Sequence, residues 1–172
     1  MGTRGVIARR IGEHSFTGVY HHWDSYPEGL GQTLYHLYRE QFDRDLPRML
    51  HVLIDEHPAG WSNINAADFT TSTELRCYCH GDRSDESNPV TDTNACDLGC
   101  EWAYAFTENA HMLVTASFCP DGRKMIGWFG FGNPKATWKV VADVDLEGDE
   151  PDWGAVIERF LSGPVFAPTL TA

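Results

Sequence analysis

Residues 3–23, TRGVIARRIGEHSFTGVYHHW, set two β-branched and aromatic runs, 3–11 and 16–23, on either side of the polar tetrapeptide Gly12-Glu13-His14-Ser15. This is the pattern of a β-hairpin with a short turn. Its exit runs into residues 20–31, YHHWDSYPEGLG, which hold two imidazoles, two carboxylates, three aromatics and two glycines. A strand that only packs does not need so many polar and aromatic groups at its end.

Beyond this point the period changes from two to between three and four. Leu30, Leu34, Leu37, Tyr38 and Phe42 fall on one stripe, which predicts an amphipathic helix opened by Gly29 and Gly31, whose N–H groups could face an anion. Pro47 suits a first helical turn, and Met49, Leu50, Leu53 and Ile54 predict a second helix, stopped by Pro58-Ala59-Gly60. Residues 80–99 carry turn formers and charges without apolar periodicity and read as a long surface loop inserted in the domain.

Four strand-like runs follow at 101–107, 111–118, 124–131 and 137–144, separated by Glu108-Asn109, Pro120-Asp121-Gly122 and Asn133-Pro134, the pattern of an antiparallel meander. Asp152 caps a last helix carrying Val156, Ile157, Phe160 and Leu161; Gly163-Pro164 ends it, and a tail covers 164–172. Hairpin, two helices, meander, helix is an α+β order. The expectation is one α+β domain over residues 1–172, with a mainly antiparallel sheet and about three helices.

Composition narrows the function. Hydrophobic residues make up 42% of the 172, with six Trp, enough for a core. No apolar run approaches the roughly 18 residues of a membrane-spanning helix, and no signal-peptide apolar region follows the first charges, so the expected location is cytoplasmic. A formal charge of -12 disfavours attraction to phosphate backbones or anionic lipid, so direct nucleic-acid binding is not expected. The same charge admits an acidic DNA mimic, but the acids are spread over loops and helix starts, and the run at 143–152 reads as a solvated connection.

Extended backbone would put Tyr20, His22 and Asp24 on one face and His21 and Trp23 on the other. A carboxylate beside an imidazole fixes its tautomer and raises its basicity, which suits a general base or a metal ligand, and equally an ordinary buried hydrogen bond. Two uses follow. Tyr20, His22, Trp23, Asp24 and Tyr26 form a recognition surface for a host protein or a small ligand, or His22 and Asp24 act as base and orienter in a hydrolase, with metal if His51, His57 or His111 joins them.

Cys77-x-Cys79-His80 and Cys96-x-x-x-Cys100 flank the polar loop. Cys77, Cys79, Cys96 and Cys100, with His80 as a substitute ligand, could close around a structural zinc; free thiols and disulfides are the alternatives, and Cys119 is left over. Trp128-Phe129-Gly130-Phe131-Gly132 lacks the lysine of a phosphate loop and reads as a strand end packing rings.

Met1-Gly2-Thr3-Arg4-Gly5, followed by the Tyr20–His22 run and Asp24-Ser25-Tyr26-Pro27-x-Gly29-Leu30-Gly31, resembles a protein family found in bacteriophages, actinobacteria and some eukaryotes. Glu101-Trp102-Ala103-Tyr104 is similar to that family's second recurring segment. The resemblance covers the N-terminal third and residues 101–107. It implies no particular activity but an origin in a phage or actinobacterial genome, where small accessory proteins are often regulators or inhibitors, and the expected function is that of a non-enzymatic accessory protein of phage or prophage type.

Overall fold

Arg4–Arg10 (β1) and Phe16–His21 (β2) form the expected hairpin, in register from Gly5 opposite His21 to Arg10 opposite Phe16. The computed structural model describes residues 2–13, 15–79, 89–118 and 137–162. The expected strand at 124–131, the turns at 120–122 and 133–134, His80, Cys119 and the tail lie outside the described residues.

After the hairpin come α1 (27–41), α2 (46–55) and the short strands Trp61–Asn63 (β3), Arg76–Cys77 (β4) and Val90–Thr91 (β5). The longer strands Cys100–Phe106 (β6), His111–Phe118 (β7) and Thr137–Asp145 (β8) follow, and Trp153–Ser162 (α3) closes the described chain. One mixed sheet holds all eight strands in the order β4-β3-β2-β1-β6-β7-β8, with β5 on the outer edge of β2. The domain is α+β with three helices. Its pairings are antiparallel except β1 with β6 and β2 with β3, so hairpin and meander are joined by a parallel seam in the middle of the sheet.

Both faces of the sheet are covered. On one, Ile7, Val19, Trp102, Tyr104, Phe106, Met112 and Val114 pack against the three helices. The expected stripe of α1, Leu30, Leu34, Leu37, Tyr38 and Phe42, is wholly buried there, as are Met49, Leu50, Leu53 and Ile54 of α2. In α3, Val156 and Phe160 are buried, whereas Leu161 is exposed. Asp45 caps α2 by accepting from the Arg48 amide at 2.9 Å, and Asp152 caps α3 by accepting from the Ala155 amide at 3.0 Å.

On the other face Val6, Ala8, Phe16, Ala103 and Ala105 meet Val90 and Ala95. The segment 89–100 therefore starts beside β2, crosses this face and joins β6 on the far side of β1. This corrects the reading of 80–99 as a surface loop for its described part: Val90 and Ala95 bury too much apolar surface to float in solvent. The acids of the run at 143–152 are exposed, as expected of a solvated connection, and Glu147 and Glu150 also find partners. Glu147 accepts from the Tyr38 hydroxyl and pairs with Arg44 at 2.6 Å, and Glu150 accepts from Gln32 at 3.0 Å and Trp153 at 2.8 Å. These carboxylates moor the β8–α3 connection to α1.

Ala8 of β1 lies opposite Gly18 of β2. A Cβ on Gly18 would lie 2.0 Å from the Ile7 carbonyl oxygen and 2.5 Å from Ala8 Cα, both backbone atoms that cannot swing aside. We expect Gly18→Ala to destabilise the fold by about 3 kcal/mol, the upper part of the range for overpacking. Urea unfolding of the two proteins measures it, and an unchanged midpoint would contradict the packing at this pair.

Candidate functional site

β2 ends at His21, whose side chain is fully buried. Its Nδ1 lies 2.7 Å from Ser25 Oγ, and its Nε2 accepts from the Ile64 amide at 3.1 Å. Ser25 Oγ in turn donates to the His21 carbonyl at 3.2 Å. Since Ile64 offers only a donor and Ser25 spends its proton on the carbonyl, the imidazole is neutral with its hydrogen on Nδ1. Burial drives its pKa down to about 3, and His22 adds to the effect.

His21 secures a sharp change of direction. The His22 and Trp23 amides still bond to the carbonyls of Trp61 and Ser62, but Asp24 sits at φ 56°, the left-handed region, and the chain reverses. Each neighbouring element then holds the turn. Ser25 N–H donates to Thr3 O at 3.0 Å, Tyr104 Oη donates to Ser25 O at 2.8 Å, and Leu30 N–H donates to Asp24 O at 3.0 Å.

The first residues of the chain fit beneath the turn. A Cβ on Gly2 would lie 2.3 Å from Trp23 Cε3, and one on Gly5 would lie 2.7 Å from Ser25 Cβ. Gly2 and Gly5 thus pack directly against Trp23 and Ser25. The amides at the start of α1 do not face an anion: Gly29 N–H is taken by Tyr26 O and Leu30 N–H by Asp24 O.

On the opposite face of β2, Tyr20 Oη lies 2.7 Å from His22 Nδ1. Burial raises the Tyr20 phenol, and burial together with the Arg4 guanidinium lowers His22, so a neutral phenol and a neutral imidazole share the bond. Trp23 stacks edge-on to His22 at 4.6 Å, and Tyr78 lies 6.5 Å from Tyr20. The expected hydrogen bond between His22 and Asp24 does not form. The left-handed residue breaks the alternation that would have aligned them, and the Asp24 carboxylate is exposed, with no hydrogen-bond partner among the described residues. His22 therefore has a phenol, not a carboxylate, as its orienting partner, and its basicity is lowered rather than raised. His51 reaches Asp55 at 3.2 Å, His111 reaches Asp143 at 2.7 Å and His57 bonds to the Val52 carbonyl at 2.8 Å, so each is engaged elsewhere.

Trp23 and Tyr26 stay in solvent, 44% and 36% exposed. They are the only aromatics among the large hydrophobic residues exposed in the described chain. Sequence reading found Tyr20, His22, Trp23, Asp24 and Tyr26 but missed their support, Ser25, Ile64, Tyr104, Arg4 and Tyr78. Arg4, Ser25 and Tyr104 stood in the quoted motifs without a role, and Gly2 and Gly5 leave room under the turn for Trp23 and Ser25.

Cys77 pairs opposite Trp61 in the sheet, Cys79 Sγ accepts from the Ala59 amide at 3.2 Å, and Cys100 Sγ donates to the Gly5 carbonyl at 3.6 Å. Cys77, Cys79, Cys96 and Cys100 form no disulfide among the described residues, and burial raises the Cys100 thiol strongly, which keeps it protonated. Among the described residues no three His, Cys, Asp or Glu side chains are grouped to hold a metal ion. An open groove of about 350 Å³ lies between α1 and the loop at 65–67, bordered by Thr33, His36, Gln41 and Asn65, and Asn65 Oδ1 is buried without a partner.

No family model, curated protein or solved structure matches this chain. No helix among the described residues is long and apolar enough to cross a membrane.

The unfolded chain, with its histidine near 6.5, binds a proton that the folded His21 refuses. This contribution to stability is full above about pH 6.5 and is lost as pH falls toward 3, by up to about 1.4 kcal/mol per unit. Urea unfolding at pH 7.5 and 5.5 should show the loss in the wild type and a smaller one in His21→Gln; equal losses would place the proton elsewhere. Of the four described thiols, Cys100 should react last with Ellman's reagent, and only on unfolding. Rapid labelling of Cys100 in the native protein, read by mass spectrometry, would contradict its burial.

Proposed function

We propose that this is a binding protein without a catalytic step of its own, which captures a partner protein or a small ligand through the turn at 20–26. The accessory role of phage or prophage type is the setting that the resemblance of its N-terminal motifs suggests. One observation carries the reading: two exposed aromatics, Trp23 and Tyr26, stand on a left-handed turn locked from beneath by His21, Ser25, Thr3 and Tyr104.

Exposed Trp and Tyr lose apolar contact with nothing in return, and a non-glycine residue at positive φ adds local strain. A chain keeps both where they are used. Because the backbone beneath is already fixed, binding would order only two side chains of few torsions, so most of the buried aromatic area would appear as affinity. Tyr20, His22 and Tyr78 extend the aromatic surface beside Trp23, and the neutral phenol of Tyr20 and imidazole of His22 spare a partner the cost of burying charge.

Affinity capture from cell extract with wild-type, Trp23→Ala and Tyr26→Ala proteins tests this reading. We expect one species retained by the wild type and reduced about tenfold or more by either variant, with melting temperatures unchanged. Equal retention by all three proteins would overturn the proposal. His22→Ala should leave the fold intact and weaken capture less than Trp23→Ala. Turnover of any substrate that disappears in His22→Ala would make the protein an enzyme.

A further inference from the structure

The geometry points to a basic segment of another protein, rich in Arg or Lys, as the occupant of the turn at 23–28; this rests on the binding role proposed above and specifies its partner. Along these six residues, Trp23, Asp24, Tyr26 and Glu28 are exposed while Ser25 and Pro27 are buried. The outward side is therefore aromatic, acid, aromatic, acid. Neither Asp24 nor Glu28 forms an ion pair among the described residues, in contrast to Asp55, which binds Arg9 at 2.8 Å, and Glu147, which binds Arg44.

The surroundings have the same sign. A Cβ on Gly154 would lie 3.2 Å from Glu28 Oε1 and 3.4 Å from Asp152 Oδ1, so two carboxylates flank the start of α3 beside the turn. Arg4, the cation that acts on Tyr20 and His22, lies beside those two residues and donates to the Leu98 carbonyl at 3.4 Å.

A guanidinium can lie flat on an indole or phenol ring while its N–H groups reach a neighbouring carboxylate, so alternating rings and acids offer both interactions to one side chain. The chain's formal charge of -12 would speed the approach of a basic partner and repel an acidic one. The left-handed Asp24 contributes by its backbone: the reversal it makes leaves Trp23, Asp24 and Tyr26 all exposed.

Hexa-arginine peptide, titrated at low salt and observed by NMR, tests the assignment, with the Trp23 indole N–H identified through Trp23→Phe. We expect saturable shifts at that indole and at residues 23–28. Affinity should fall about tenfold or more in Asp24→Asn/Glu28→Gln, where Asn accepts the left-handed backbone, and in Trp23→Ala, and it should weaken as salt rises. Shifts centred on other acidic regions, or an affinity unchanged in the double variant, would overturn it. Free arginine binding at the same residues as tightly as the peptide would overturn the assignment to a protein segment. The partner from the capture experiment separates the two proposals. If it is lost with Trp23→Ala but kept by the double variant, the basic segment is wrong and the binding role stands. If both variants keep it, both fail.

Discussion

The neutral imidazole of His21 holds together parts of the chain that share no local sequence. Between Ser25 and Ile64 it uses both ring nitrogens where water cannot reach, joining the end of β2, the reversal at Asp24 and the loop after β3. Protonation would turn Nε2 into a donor facing the Ile64 N–H, itself a donor, so burial and hydrogen-bond geometry favour the same state. Thr3, Tyr104 and Leu30 then fix the backbone from three other directions. The chain leaves the sheet along one path, and Trp23 and Tyr26 point outward as a consequence of bonds made beneath them.

The sheet provides the frame. A hairpin alone would have an open edge and an uncovered face; the parallel seam between β1 and β6 removes the edge, and the crossing segment 89–100 covers the face. The helices cover the other side, with α1 bound to the connection after β8 through Tyr35 and Arg39 at the Gly148 carbonyl and through Tyr38 and Arg44 at Glu147. Several acids that make the chain so negative are thus occupied within the fold. Those of the turn are not, which gives that part of the surface its character.

Periodicity made α1 and α2 legible, because their apolar stripes had to bury wherever the helices packed, and Leu34 or Met49 is buried whichever sheet lies beneath. The hairpin was legible for the same local reason. The crossing segment was not: Val90 and Ala95 are two apolar residues in a polar stretch, and only the exposed face of β1 and β2 makes them core. The partners of Glu147 and Glu150 in the acidic run include side chains more than a hundred residues away, a distance no local pattern reports.

The candidate site divides in the same way. By itself the sequence determined that residues 20–31 concentrate aromatics, imidazoles and acids at a strand end, because composition and the β period are local properties. The partners of those groups were decided by tertiary structure alone. Alternation predicted that His22 would meet Asp24, but one left-handed residue gave His22 to Tyr20 and left Asp24 in solvent. His21, which looked the less important of the two histidines, became the buried support. Hydrogen bonds to Ile64, Tyr104 and Thr3 made these choices, since a buried polar group must find its partner wherever the fold places one.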